Sequence, residues 1–116
     1  MCVIYTIMIK VYLISAQIGD EKLYKIGHTR RTVEQRIKEF RTGNASEFNI
    51  CSVFESKWGT KIESHLHRRL KEKKVNGEWF SLDDNDVKNF INECKKIDNN
   101  LTVISKGTYY MERGKF

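Results

Sequence analysis

The chain contains no proline, and its three cysteines, Cys2, Cys51 and Cys94, stand far apart. Without proline there is no rigid extended linker and no proline-rich recognition segment. Scattered, odd-numbered cysteines with no CxxC spacing argue against a disulfide framework and a zinc ribbon, and point to a reducing compartment. No low-complexity tract and no internal repeat interrupts the sequence, which sets aside solenoids and arrays. Long apolar runs are missing too. Residues 1–15 are apolar but broken by Lys10, and too short to span a bilayer. They also lack the basic leader and small-residue cleavage site of a secretory signal. These absences lead to the expectation of a cytoplasmic protein with no membrane partner.

What the chain does have is charge and clear periodicity. Hydrophobic residues make up 40% and charged residues 31% of 116 positions, which suits one globular domain with a modest core. Lysine and arginine number 21 against 15 acidic residues, a net charge of +6 with a pI near 9.3. That balance favours a polyanionic partner, most simply nucleic acid, although many small proteins carry similar charge for solubility.

Residues 11–36 organise the rest. Residues 11–15 are β-branched, apolar or aromatic, and the β-prone run reaches back to residue 2 as one long strand or two short ones. Gly19-Asp20 signals a turn, and residues 22–27 alternate polar and apolar as a half-buried strand does. Gly27 is expected to end that strand, with His28, Thr29, Arg30 and Arg31 directly after it. Thr32 then opens a helix, with Gln35 three residues later completing a capping box. A helix start beside these cations suits an anion.

The first helix is expected over 32–41, with Val33, Ile37 and Phe40 on one stripe and Gly43 as its left-handed stop. Residues 42–47 read as a polar loop and 48–56 as a third strand. A second helix over 60–73 turns Ile62, Leu66 and Leu70 to the core. Glu63 and His67 lie four apart beside that stripe, and basic residues including Arg68 and Lys71 cover the remainder. Asn76-Gly77 marks a turn, and residues 78–82 a short strand in which Trp79 and Phe80 pack. Asp83 or Asp84 caps a third helix over 83–98 whose buried face holds Val87, Phe90, Ile91, Cys94 and Ile97. Asp98-Asn99-Asn100 is expected to stop it, with 101–104 as a last edge strand and 105–116 as a basic tail. The order of elements predicts a single α+β domain over 1–104, a small, mostly antiparallel central sheet of about three to four strands flanked by about three helices.

Five segments then stand in a telling order: Val11-Tyr12-Leu13-Ile14, Tyr24-Lys25-Ile26-Gly27-His28-Thr29, Arg36, Glu63 with His67, and Gly77-Glu78-Trp79-Phe80. Together they resemble the GIY-YIG nuclease superfamily, and within it the small phage, viral and fungal branch whose second half-motif reads KIG-x-T. The resemblance spans residues 11–80 inside a motif core of 9–82. It implies a GIY-YIG-like fold and a metal-dependent endonuclease that hydrolyses phosphodiesters in DNA, with RNA as a possible substrate. One divalent cation, Mg²⁺ or Mn²⁺, is implied as cofactor. Tyr12 would orient or deprotonate the attacking water, Arg36 would hold the scissile phosphate and Glu63 would be the single carboxylate ligand of the metal. Lys25 stands where the superfamily normally carries tyrosine, with Tyr24 one place away, a substitution this branch shares. The resemblance also suggests a host-cytoplasmic location for a phage-encoded chain.

The residue types make that chemistry reasonable. Magnesium keeps several waters and often binds through one or two carboxylates, so one glutamate can suffice. It acts as a Lewis acid, and arginine offers a planar fork that matches phosphate. Tyrosine is a poor base at its ordinary pKa of about 10 unless cations stand near it, and Lys25, His28, Arg30 and Arg31 are the suppliers in sequence reach. His28 is the alternative base, because imidazole titrates near neutrality. Each residue also has a plainer role: Tyr12 as strand packing, Arg36 as a solvated helix residue, Glu63 with His67 as an exposed pair worth a few tenths of a kcal/mol. His65 and His67 point two ways on a helix with no third ligand, which disfavours structural zinc. Arg30, Arg31, His67, Arg68 and Lys71 are expected along a nucleic-acid backbone. The competing function is a non-catalytic nucleic-acid-binding module on the same scaffold. Either would be a monomer or weak homodimer.

Overall fold

The computed structural model describes residues 7–39 and 45–114, with side chains at 7–39 and 48–106. Expectations placed on residues 1–6, on Phe40 and on Gly43 lie outside these residues.

Two long strands, β1 (Ile9–Ile18) and β2 (Glu21–Thr29), form an antiparallel hairpin. Gly19 turns it with φ 63°, a left-handed conformation open to glycine at little cost. On its other side β1 pairs antiparallel with β3 (Ala45–Ser56), with a register irregularity between Leu13 and Ile14. The far edge of β2 receives the two-residue β5 (Trp79–Phe80) at Tyr24 and Lys25, and β4 (Lys74–Asn76) closes back onto β5 through the Gly77 turn. The sheet runs β3-β1-β2-β5-β4, every pairing antiparallel. The α+β architecture is as expected, with five strands rather than three to four.

Strand period 2 divides the sheet into two unequal faces. Val11, Leu13, Tyr24, Ile26 and Phe80 point to one side. There they meet Ile62 and Leu66 of α2 (Gly59–Arg69) and Phe90, Cys94 and Ile97 of α3 (Asp84–Gly114). Each fully buried aliphatic or Phe side chain in this cluster contributes about 1.5–3 kcal/mol. The opposite face carries Tyr12 and Ile14, covered by Val33 and Ile37 of the short α1 (Val33–Glu39) and by Phe48. The expected capping box holds α1: Thr32 Oγ1 accepts from the Gln35 backbone N–H at 3.1 Å, and Gln35 Oε1 accepts from that of Thr32 at 3.3 Å. Asp83 caps α3 in the same reciprocal way with Asp86.

Several expected boundaries are corrected. Gly27 does not end β2 but lies inside it, paired with Tyr12. Residues 45–47 belong to β3 rather than to a loop. The second helix stops at Arg69, and Lys71–Lys73 tighten into a 3₁₀ turn closed by the Lys73 N–H on the Leu70 carbonyl at 2.8 Å. Asp98-Asn99-Asn100 does not stop α3, and 101–104 are helical rather than an edge strand. The cause is tertiary. Asp98 accepts a hydrogen bond from the Ser56 hydroxyl, and Thr102 Oγ1 accepts from Trp58 Nε1 at 3.1 Å. Leu101 packs against the main core. These anchors give the breaker residues partners within the helical conformation.

Candidate active site

Tyr12 leaves the buried face of β1 with its ring over the backbone of Gly27. A β-carbon at Gly27 would stand 2.6 Å from Tyr12 Cζ, so only glycine admits the ring. The Arg36 guanidinium, one helical turn into α1, acts electrostatically on the Tyr12 hydroxyl. Burial pushes that hydroxyl above its ordinary pKa of 10.0, Arg36 pulls the other way, and the charges of Glu78 and Glu63 add to the rise. The expectation that Lys25, His28, Arg30 or Arg31 would pull the tyrosine down is therefore corrected. The cation that reaches it is Arg36, and desolvation outweighs it. Tyr12 is a hydroxyl donor at neutral pH, not a tyrosinate.

Glu63 approaches from α2, on the other side of the sheet. His28, near the end of β2, donates from Nδ1 to Glu63 Oε1 at 2.6 Å. The other carboxylate oxygen lies 4.0 Å from His67 Nε2, beyond hydrogen-bonding reach. His67 instead donates from Nε2 to the Ile26 carbonyl at 2.9 Å and sets its ring edge-on to Phe80. It is thus a wall of the site, held inward rather than reaching out. Glu63, Ser64, His67, Arg68, Lys74, Gly77 and Glu78 line an open cleft of ≈ 470 Å³.

Tyr24 lies on the α2/α3 face, 7% exposed in the main core, and does not join Tyr12. Lys25 shares the Tyr12 face, across from Ile14. Its Nζ forms an ion pair with Glu78 at 2.9 Å and sits 5.6 Å from the Trp79 ring centre. Trp79 in turn stacks on Phe48 at 6.2 Å, so the expected packing role of this short strand holds. Arg30, Arg31, Arg68 and Lys71 are exposed, as backbone-tracking residues must be. Sequence reasoning gave too little weight to Glu78 and Gly27, and missed Lys74 as a cleft residue and Glu39 beside Arg36. The turn-glycine followed by an acid in Gly77-Glu78 was the available signal for one of these.

Among the described residues no three His, Cys, Asp or Glu side chains gather as a metal cluster. The donors present suit a hard cation that keeps its waters: Glu63 and Glu78 offer carboxylate oxygens to one roomy, polar cleft. Zinc would need more ligands of its own. Among the described residues no helix is long and apolar enough to cross a membrane.

Residues 5–95 match the model of the T5orf172 domain, a phage-derived domain often linked to GIY-YIG and HNH-like nucleases. No curated protein and no solved structure matches the chain.

Proposed function

This chain belongs to the T5orf172 domain family, and we propose that it is a metal-dependent endonuclease of GIY-YIG type that hydrolyses phosphodiester bonds in DNA. The observation that supports the reading is that Glu63 is held at 2.6 Å by His28 near the end of β2, the strand whose Gly27 backs the Tyr12 ring.

Arg36 binds the scissile phosphate through its planar fork and steadies the negative charge that grows there. Tyr12, fixed over Gly27, donates its O–H to orient the attacking water. His28 gives its Nδ1–H to Glu63, which leaves Nε2 as the acceptor for the proton released when water oxygen bonds to phosphorus. The P–O bond to the leaving oxygen breaks, and that oxygen is protonated from solvent. Glu63, with Glu78 on the same cleft wall, would hold one Mg²⁺ or Mn²⁺, which when bound supplies positive charge to the phosphoryl and leaving oxygens. Lys25 keeps Glu78 in place. Arg30, Arg31, Arg68, Lys71 and Lys74 follow the flanking backbone. The protein acts as a monomer or weak homodimer, in the host cytoplasm where a phage encodes it.

A second reading, a non-catalytic nucleic-acid-binding module, draws on the Lys25–Glu78 ion pair, which stands where the superfamily has its second tyrosine. Cleavage of a panel of DNA and RNA forms, with and without divalent ions and beside Glu63→Gln, separates the two. Metal-dependent cutting lost in the variant supports the enzyme, and salt-sensitive binding without cutting supports the module.

A further inference from the structure

Glu39, the last residue of α1, receives two arginines at once. Arg36 Nη1 donates to its Oε1 at 2.8 Å, and Arg31 Nη2 donates to its Oε2. The two guanidiniums thus converge on the paired oxygens of one carboxylate, a spacing that two non-bridging oxygens of one phosphate also present. The approach to this point is built from several sides. The Arg31 backbone N–H donates to Thr29 Oγ1 at 3.1 Å, which pins the loop before α1. Arg36 also feels the Tyr12 hydroxyl electrostatically. Glu39 itself is exposed, and its two arginines hold its carboxyl below the ordinary carboxylate range, Arg31 before Arg36.

We propose that Arg31 and Arg36 form a two-arginine clamp for one phosphate of the bound nucleic acid, and that Glu39 occupies the place of that phosphate in the free protein. The proposal rests on the nucleic-acid reading above, and adds to it a second phosphate ligand and a built-in competitor. Arg31, Glu39 and Arg36 are 53%, 39% and 37% exposed. Ion pairs so exposed are held weakly, so a backbone phosphate can displace the carboxylate. Glu39 then does two things. It keeps the arginines converged before substrate arrives, and it rejects ligands that bring less negative charge than a phosphodiester backbone.

The test is binding of a labelled DNA oligonucleotide to the full chain in EDTA, which needs no cleavage. Glu39→Gln removes the competitor. Glu34→Gln removes the same charge from an exposed position of the same helix without touching either arginine. Glu39→Gln is expected to tighten binding about three- to tenfold, and Glu34→Gln clearly less. Arg31→Ala should weaken binding and reduce the salt slope by about one. In the Arg31→Ala background, the gain from Glu39→Gln should shrink, because only the Arg36 contact is then left for Glu39 to occupy. Equal gains from the two glutamine variants, or an unchanged salt slope in Arg31→Ala, overturn the clamp while leaving the nuclease reading intact. Failure of the wild type to bind at low salt overturns both. Clamp behaviour in a chain that never cuts DNA keeps this proposal and removes only the catalytic one.

Discussion

The Tyr12 ring lies across the hairpin on the α-carbon of Gly27, where any β-carbon would come within 2.6 Å of Tyr12 Cζ. The contact explains how a strand residue that is fully buried still presents its hydroxyl to Arg36. It also explains why the glycine sits inside the strand rather than at its end. Gly27→Ala should push the ring off its place, cost about 1–3 kcal/mol as an overpacked core does, and reduce cleavage more than Tyr12→Phe, which keeps the packing. Urea denaturation with parallel cleavage rates checks this; an alanine variant as stable and active as wild type would contradict it.

Lys25 is 13% exposed on its side chain and has Glu78 at 2.9 Å. Removing the acid leaves a largely desolvated cation, so Glu78→Ala should destabilise by about 1–3 kcal/mol. Lys25→Met in that background should recover most of the loss. A double-mutant cycle measures the coupling, and strict additivity would show that the pair is not coupled.

Burial raises the Cys94 thiol from 9.0 to about 12. A pKa raised in the folded state means that the folded chain holds its proton more tightly. The resulting stability is complete below pH 9 and is lost as pH climbs toward 12. Melting temperatures should therefore fall over that window, and the fall should be shallower in Cys94→Ala. Tyr12 has the same sign above its ordinary 10.0, so Tyr12→Phe should flatten the upper part of the curve.

Burial keeps Tyr12 protonated through the neutral range, so cleavage near neutrality should not depend on its ionisation. Tyr12→Phe should lower kcat while preserving the shape of the profile. His28→Gln, which removes the proposed proton acceptor, should lower kcat as well. A profile whose rate rises only in the alkaline range, and loses that rise in Tyr12→Phe, would return the base to the tyrosine.

The parts of this fold that could be read in advance are those fixed by short-range chemistry. The Gly19 turn, the Thr32/Gln35 box and the Ile62–Leu66 stripe each depend on residues within a few positions of one another. The opposite holds for α3, where Asp98 and Thr102 find partners in Ser56 and Trp58, more than forty positions upstream. No local rule announces that a breaker triplet will be rescued from so far away. β4 was missed because its three residues are all exposed and carry no alternation; its pairing with β5 makes it a strand. Among the proposed site residues, Tyr12, Arg36 and Glu63 came from the resemblance. Glu39 was not, because its meaning lies in two arginines meeting on it, and sequence spacing does not show convergence.

The most direct measurement is DNA cleavage by wild type and Glu63→Gln across a titration of Mg²⁺ and Mn²⁺, with melting curves recorded for both proteins. Glutamine keeps an acceptor for His28 Nδ1, so the fold and metal-free DNA binding should persist. The cleavage rate should drop on the order of a hundredfold or more and should not recover at high metal. A Glu63→Gln protein that cuts as the wild type does, or a wild type inert on every DNA and RNA form at every metal concentration, would contradict the account.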